Sequence, residues 1–304
     1  MKISVFTCTY NRLDTLRRTF DALKQQTFTD FEWVLVDNGS TDGTVAAVEE
    51  WIKEVEFPVT IHRIEKNSGF QNAYNAGIAL CSGEFFVNLD SDDSCVPHAL
   101  ERFIELWGTV PDQDKESFVG VTVNCEDQYG SLVGDSFPKD PLDSNSLETE
   151  LRYRIKGEKF GILRLDVLRK FPFPVSEFHI NPSIVWRAIS REYQTRYTND
   201  ILRIYYINEK DREDQVTFHL NSFETAYGKW LNSRAMLNEY IDWFFTAPFI
   251  FLKNAMNYSR NAFLLDHSLG DQISDIQTIA GKILVMISMP YGKLWSFLAR
   301  KKLS

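Results

Sequence analysis

The chain has 304 residues, of which 44% are hydrophobic and 25% charged, which suits a soluble folded protein with one large α/β domain and a smaller appendage, or with two modest domains. A net charge of −9 argues against a protein that grips nucleic acid through a basic surface. Cys8, Cys81, Cys95 and Cys125 form no CxxC pair and have no histidine cluster beside them, which points to reduced thiols and away from zinc.

From Met1 the chain runs straight into a strand pattern, Ile3 to Thr7, so no signal peptide is expected. No run reaches the ~18–20 apolar residues of a spanning helix, and the expected location is cytoplasmic. Thr9-Tyr10-Asn11-Arg12 ends the first strand, and Leu13, Leu16, Phe20 and Leu23 then recur at helical spacing. Phe31 to Val36 is a second strand, followed by Asp37-Asn38-Gly39-Ser40-Thr41-Asp42-Gly43, where Ser40 or Thr41 is the expected helix cap. Val45, Val48, Ile52 and Val55 mark the next helix. Val59 to Ile64 is a third strand, and Asn67-Ser68-Gly69 opens a helix through Ala73, Asn75, Ala76 and Gly77. A fourth strand, Phe85-Phe86-Val87, delivers Asn88-Leu89-Asp90-Ser91-Asp92-Asp93.

Four strand–helix alternations predict a parallel, doubly wound sheet, whose strand ends share one edge. Four polar loops therefore converge on one crevice, the last with three carboxylates in four residues. Clustered carboxylates repel, and their burial costs several kcal/mol unless a positive charge arrives. Oxygen ligands of this kind suit Mg²⁺ or Mn²⁺ holding phosphates; the alternative is a solvated acidic turn. There is no GxGxxG and no GxxxxGK[ST].

Thr9 to Arg12, Val36 to Asp42, Asn67-x-Gly69 through Asn75-x-Gly77, and Asp90 to Asp93 resemble the motifs of family 2 glycosyltransferases, of the bacterial cell-surface polysaccharide type. The resemblance is strong over residues 1–125 and looser to about 208, through Trp186 and the strand Ile201 to Tyr206. It implies a GT-A fold, a Rossmann-like, mostly parallel sheet flanked by helices, over 1–215. Within that domain 1–125 is the nucleotide-sugar half and 126–215 the acceptor-side half; 216–304 is a helical C-terminal region.

The resemblance further implies inverting transfer from a nucleotide-sugar, expected to be a UDP-sugar, to a glycan or lipid-linked hydroxyl, in surface-polysaccharide synthesis. Asp37 matches the residue that accepts a hydrogen bond from the base. Thr9, Tyr10, Asn11 and Arg12 match the segment lining base and ribose, with Arg12 alternatively a surface charge. Asn67, Gly69 and Asn75 match the loop and helix beside the nucleotide; Gly69 is alternatively a plain turn and Asn75 a packing amide. Tyr74 stands where many relatives carry a basic residue.

Asp90, Ser91, Asp92 and Asp93 match the DxD region. Asp92, with Asp90, is the expected ligand of Mn²⁺ or Mg²⁺, and Asp93 the donor contact or else the cap of the helix after Pro97. Developing charge on the departing diphosphate is the reason for the cation. Inverting transfer also needs a base for the attacking hydroxyl. Glu177 is the one carboxylate in Phe171 to Pro182 and is the candidate, with His179 the alternative. Asp211 and Asp214 read as a solvated loop.

Beyond 215, Phe223, Tyr227, Trp230, Met236 and Leu237 fit helical spacing, and Pro248 interrupts an apolar run from Phe244 to Leu252. The segment from Ile279 through Trp295 to Lys302 suits an ordinary buried helix or an interfacial one, so packing, peripheral membrane contact and a homodimer stay open. A nucleotidyltransferase, or a non-catalytic nucleotide-sugar-binding protein of the same fold, is the alternative function.

Overall fold

The computed structural model describes residues 2–207 and 223–303. In chain order these form β1 (Ile3–Thr9), α1 (Leu13–Lys24), β2 (Phe31–Asp37), α2 (Thr44–Trp51), β3 (Val59–Arg63), α3 (Phe70–Leu80), β4 (Phe85–Asn88) and β5 (Ser94–Cys95). Next come α4 (Ala99–Gly108), β6 (Phe118–Asp127), β7 (Leu142–Ser144), α5 (Ser146–Leu151), β8 (Lys159–Arg164), α6 (Leu165–Leu168), α7 (Ser183–Ile189) and β9 (Gln194–Tyr205). The remainder is helical: α8 (Phe223–Glu239), α9 (Pro248–Leu264), α10 (Leu269–Asp275) and α11 (Ile279–Leu303).

One sheet runs β3-β2-β1-β4-β8-β6-β9-β5, with β7 paired to β9. The first four strands are parallel, as their continuous apolar runs require: both faces of β1 and β2 are buried beneath helices. Beyond β4 the sheet becomes mixed. β8 is antiparallel to β4 and β6, while β9 is parallel to β6 and antiparallel to β5 and β7. Among the described residues β7, which contains Asp143, pairs only with β9 and forms an edge.

Trp33, Phe20, Phe85, Phe103 and Phe160 are fully buried in the core beneath this sheet. Each contributes about 1.5–3 kcal/mol by leaving water. On the other face α3 sits directly on β1, because a Cβ at Gly77 would lie 2.1 Å from the Phe6 ring. Tyr74 is buried there beside Phe6, Phe86, Phe173 and Trp186, a packing role in place of the relatives' basic side chain.

Of the described residues, 2–175 and 185–207 form one compact unit, and 176–184 with 223–303 a second. Residues 176–184, read from sequence within the acceptor-side half, belong to the second unit. Its core gathers Leu237, Ala255, Tyr258, Ile276 and Val285. Pro248 splits the apolar run by starting α9 at its first turn, where a missing N–H costs nothing.

Candidate active site

Parallel pairing fixes the edge. Thr9 lies opposite Asp37 and Phe6 opposite Asn88, so the loops after β1, β2 and β4 leave the sheet together. Side-chain amides then stitch the loops. Asn11, at φ 50°, donates its backbone N–H to Ser40 Oγ (2.9 Å), and its Oδ1 accepts the Thr41 N–H (2.8 Å). Asn38 Nδ2 donates to Asn67 Oδ1 (3.0 Å), and Asn38 Oδ1 accepts the Ser68 N–H (3.0 Å). Gly39, at φ 91°, allows that contact, since a Cβ there would lie 2.9 Å from the Asn67 nitrogen.

The expected cap at Ser40 or Thr41 is corrected by this network. The Ser40 hydroxyl serves Asn11, and Gly43 precedes α2. Asp42 instead accepts from both the backbone and the hydroxyl of Thr44, and from the Leu13 N–H.

Asp37 is fully buried at the base of this edge. Its carboxylate accepts the Ser40 N–H at 3.2–3.3 Å, and Arg63 Nε stands 3.8 Å away. A carboxylate has about four lone-pair sites, so acceptor capacity remains for a ligand N–H. One strand over, Thr9 Oγ1 is buried without a hydrogen-bond partner among the described residues. Burial, then Asp90 and Asp37, push the Cys8 thiol up to about 12, so both acids act on the same point of β1.

The acidic turn is held from two sides. α1 grips its backbone: Thr15 Oγ1 donates to the Ser91 carbonyl, Arg18 to that of Asp92, and Thr19 to those of Asp90 and Asp93. β9 answers its charge. Arg203, 3% exposed, pairs with Asp90 and with the buried Asp93, donating from Nε to Asp93 Oδ2 at 2.7 Å. The Tyr206 N–H adds a bond to Asp93 Oδ1. Asp93 is thus half of a buried ion pair and does not cap the helix after Pro97.

Asp92 lies outside the Arg203 pair. Burial and then Asp90 push its carboxyl up, with Arg12 and Arg203 pulling it down. Burial also pushes Asp93 upward against the pull of Arg203. Sequence reasoning missed Arg203, Arg18 and Thr19. The available signal was an arginine inside the apolar strand Ile201 to Tyr206, where it requires a buried anion.

Thr9 and Asp37 end their strands, and Tyr10, Asn11, Arg12, Asn67, Gly69 and the turn Asp90 to Asp93 belong to the loops of the first unit at this edge. Tyr10 is exposed, with a ring available to a ligand. Asn75 is engaged elsewhere: both ends of its amide bond the backbone of Phe173, at 2.9 Å each. Glu177 is an exposed residue of the second unit; His179, in the same unit, is half-buried, and burial pushes its imidazole down. Asp211 and Asp214 lie outside the described residues.

Among the described residues no three His, Cys, Asp or Glu side chains form a metal cage. With Asp90 and Asp93 on Arg203, the donor set is Asp92 and the half-exposed Asp90. That set fits Mg²⁺ or Mn²⁺ completed by ligand phosphates, the usual way such ions sit in phosphate sites.

The first four strands form a parallel half-sheet whose ends gather a buried carboxylate and an acidic turn, an arrangement of the GT-A type. Residues 4–160 match the family model "Glycosyl transferase family 2". An uncharacterized glycosyltransferase of Haemophilus influenzae is 30% identical over 264 residues, 78% of this chain and 80% of that protein. The Campylobacter jejuni GalNAc(5)-diNAcBac-PP-undecaprenol beta-1,3-glucosyltransferase is 27% identical over 233 residues, 76% and 71% of the two chains. A Nostoc glycosyltransferase, the first of the curated relatives, is matched over only 34% of its length. Among solved structures, Staphylococcus aureus TarS 1–349 with UDP-GlcNAc superposes at a TM-score of 0.63 and 18% identity, covering 98% of this chain and 89% of that one. The Pyrobaculum calidifontis mannosyltransferase PcManGT with GDP-Man and Mn²⁺ gives 0.59 and 17%, covering 98% and 84%. The chain belongs to glycosyltransferase family 2.

Proposed function

We propose that the protein transfers a sugar, with inversion, from a UDP-sugar to a hydroxyl of a glycan or lipid-linked acceptor. The observation that carries this reading is the division of labour among four acids on one sheet edge. Asp37 is buried and keeps acceptor capacity; Asp90 and Asp93 share the single Arg203 cation; Asp92 stands outside that pair. Asp37 then reads an N–H on the base edge, and Tyr10, Thr9 and Arg12 line base and ribose. Asn67 and Gly69 shape the loop beside them.

Asp92, with the open side of Asp90, would hold Mg²⁺ or Mn²⁺, which supplies charge stabilisation to the departing diphosphate. The acceptor oxygen bonds to the anomeric carbon as the bond from that carbon to the diphosphate oxygen breaks. The hydroxyl proton passes to a carboxylate, for which Glu177 is the proposed base. A lipid-linked acceptor is supported by the name of the Campylobacter relative. The fold accommodates UDP-GlcNAc in one neighbour and GDP-Man in another, so the nucleotide is the first thing to test.

The test is thermal unfolding with UDP, GDP, CDP and dTDP, each with and without Mn²⁺. Ligand at ~100 times its Kd stabilises the native state by ~2.7 kcal/mol. A shift with UDP that needs Mn²⁺, absent in Asp92→Ala, is the expected result. A shift with another nucleotide would replace the donor class. No shift with any of the four would overturn the reading.

A further inference from the structure

We propose that the outward face of α11 binds an anionic lipid surface. This inference rests on the second unit alone and holds whether or not the donor assignment stands. α11 is amphipathic in the sense opposite to that of a helix in a water-exposed domain. Its inward stripe is small: Gly281, Val285, Ser288, Gly292 and Ser296 are buried. A Cβ on Gly292 would lie 2.6 Å from Ser259 Oγ, and one on Gly281 would lie 3.0 Å from the Leu237 carbonyl. Both glycines therefore lock the helix in this rotation, and it cannot roll to hide its bulky side.

That bulky side is in water. Ile283, Met286, Ile287, Leu294, Phe297 and Leu298 are exposed, Ile287 and Phe297 by about two thirds (65% and 64%). Spacings of three, four and seven place them on one stripe. Contiguous apolar surface on this scale marks an interaction site.

Charge selects the occupant. The protein has a net charge of −9, yet after Asp275 the sequence contains no Asp or Glu and five basic residues: Lys282, Lys293, Arg300, Lys301 and Lys302. A second copy would set these like charges against each other, whereas an anionic bilayer attracts each of them. No helix among the described residues is long and apolar enough to cross a membrane, so the geometry is that of a helix lying in the interface.

The experiment is co-sedimentation of the full chain with vesicles of phosphatidylglycerol and phosphatidylethanolamine, against pure phosphatidylcholine. Binding to the anionic vesicles, weakened by salt, is expected. Lys293→Gln should weaken it about fivefold, and Ile287→Glu with Leu294→Glu about a hundredfold or more. Because both apolar positions are exposed, the double variant should melt as the parent does and keep its activity on a water-soluble acceptor. Failure to bind anionic vesicles, or binding that the double substitution leaves intact, would overturn the proposal. So would a stable dimer in lipid-free buffer that the same substitutions dissociate, which would assign the face to a second copy.

Discussion

Replacing Arg203 by Met tests the charge arrangement of the site most directly. The guanidinium is 3% exposed and Asp93 1%, so removing the cation strands a carboxylate with water largely excluded. Breaking a buried pair from one side costs about 3–5 kcal/mol. For a unit of about 200 residues each kcal/mol moves the melting temperature by roughly 2–4 °C, so a fall of ~6–20 °C is expected. Arg203→Lys should fall between, because an ammonium cannot span Asp90 and Asp93 as the planar fork does.

A companion variant separates lost charge from lost packing. Arg203→Met with Asp93→Asn should recover at least half the loss: the amide oxygen still accepts the Tyr206 N–H, and Asp90, 41% exposed, is hydrated unaided. Urea unfolding of the four proteins of this cycle measures each energy. Activity against pH gives a second readout. Asp92 must be ionised to hold a cation, so activity is lost as pH falls through its titration. Arg203 is among the groups holding that carboxyl down, hence its removal moves the acid limb to higher pH. A cost below about 1 kcal/mol, or a double variant no more stable than Arg203→Met, would refute the reasoning.

Asp92→Asn should reduce turnover by about 10²–10³-fold, the scale of losing one charge-stabilising group, measured as released nucleoside diphosphate. The same variant should raise the melting temperature without ligand. A carboxyl raised in the fold binds its proton better folded than unfolded, so its ionised form weakens the fold as pH rises from the ordinary carboxylate range through the raised value. The gain should therefore be present at neutral pH and vanish in acid; a gain that grows on acidification would contradict the sign. Asp37→Asn should weaken nucleotide binding by about 1.5–3 kcal/mol, the worth of a charge-assisted bond, read by calorimetry. Asn75→Ala should cost about 1–3 kcal/mol of stability by orphaning the Phe173 backbone, with donor KM unchanged. A selective rise in KM would return Asn75 to the nucleotide.

The parallel half of the sheet was legible because its information is local. Apolar runs of four to seven residues mark the strands, helical spacing marks α1, and polar loops at strand ends converge once the sheet is parallel. Arg203 was not legible: it lies 113 residues from Asp90, and only pairing of β9 with β5 and β6 brings it under the turn. The cap of α2 was misplaced because Ser40 and Thr41 suit the role by type, whereas both are engaged by Asn11 on a different loop and Gly43 precedes the helix. The antiparallel returns of β8 were invisible for a similar reason, since strand direction depends on a neighbour distant in sequence.

The pairing of Cys95 with Arg203 has a practical consequence. The family model matches residues 4–160, yet the cation paired with the acidic turn arrives from residue 203. The turn and its counter-ion lie 113 residues apart in sequence, so a chimera that keeps one and exchanges the other carries an acid triplet without its partner. A minimal fragment that keeps the acidic turn with its counter-ion must accordingly be cut beyond β9, and swaps between relatives should carry Asp90 to Cys95 and Leu202 to Tyr206 as one cassette.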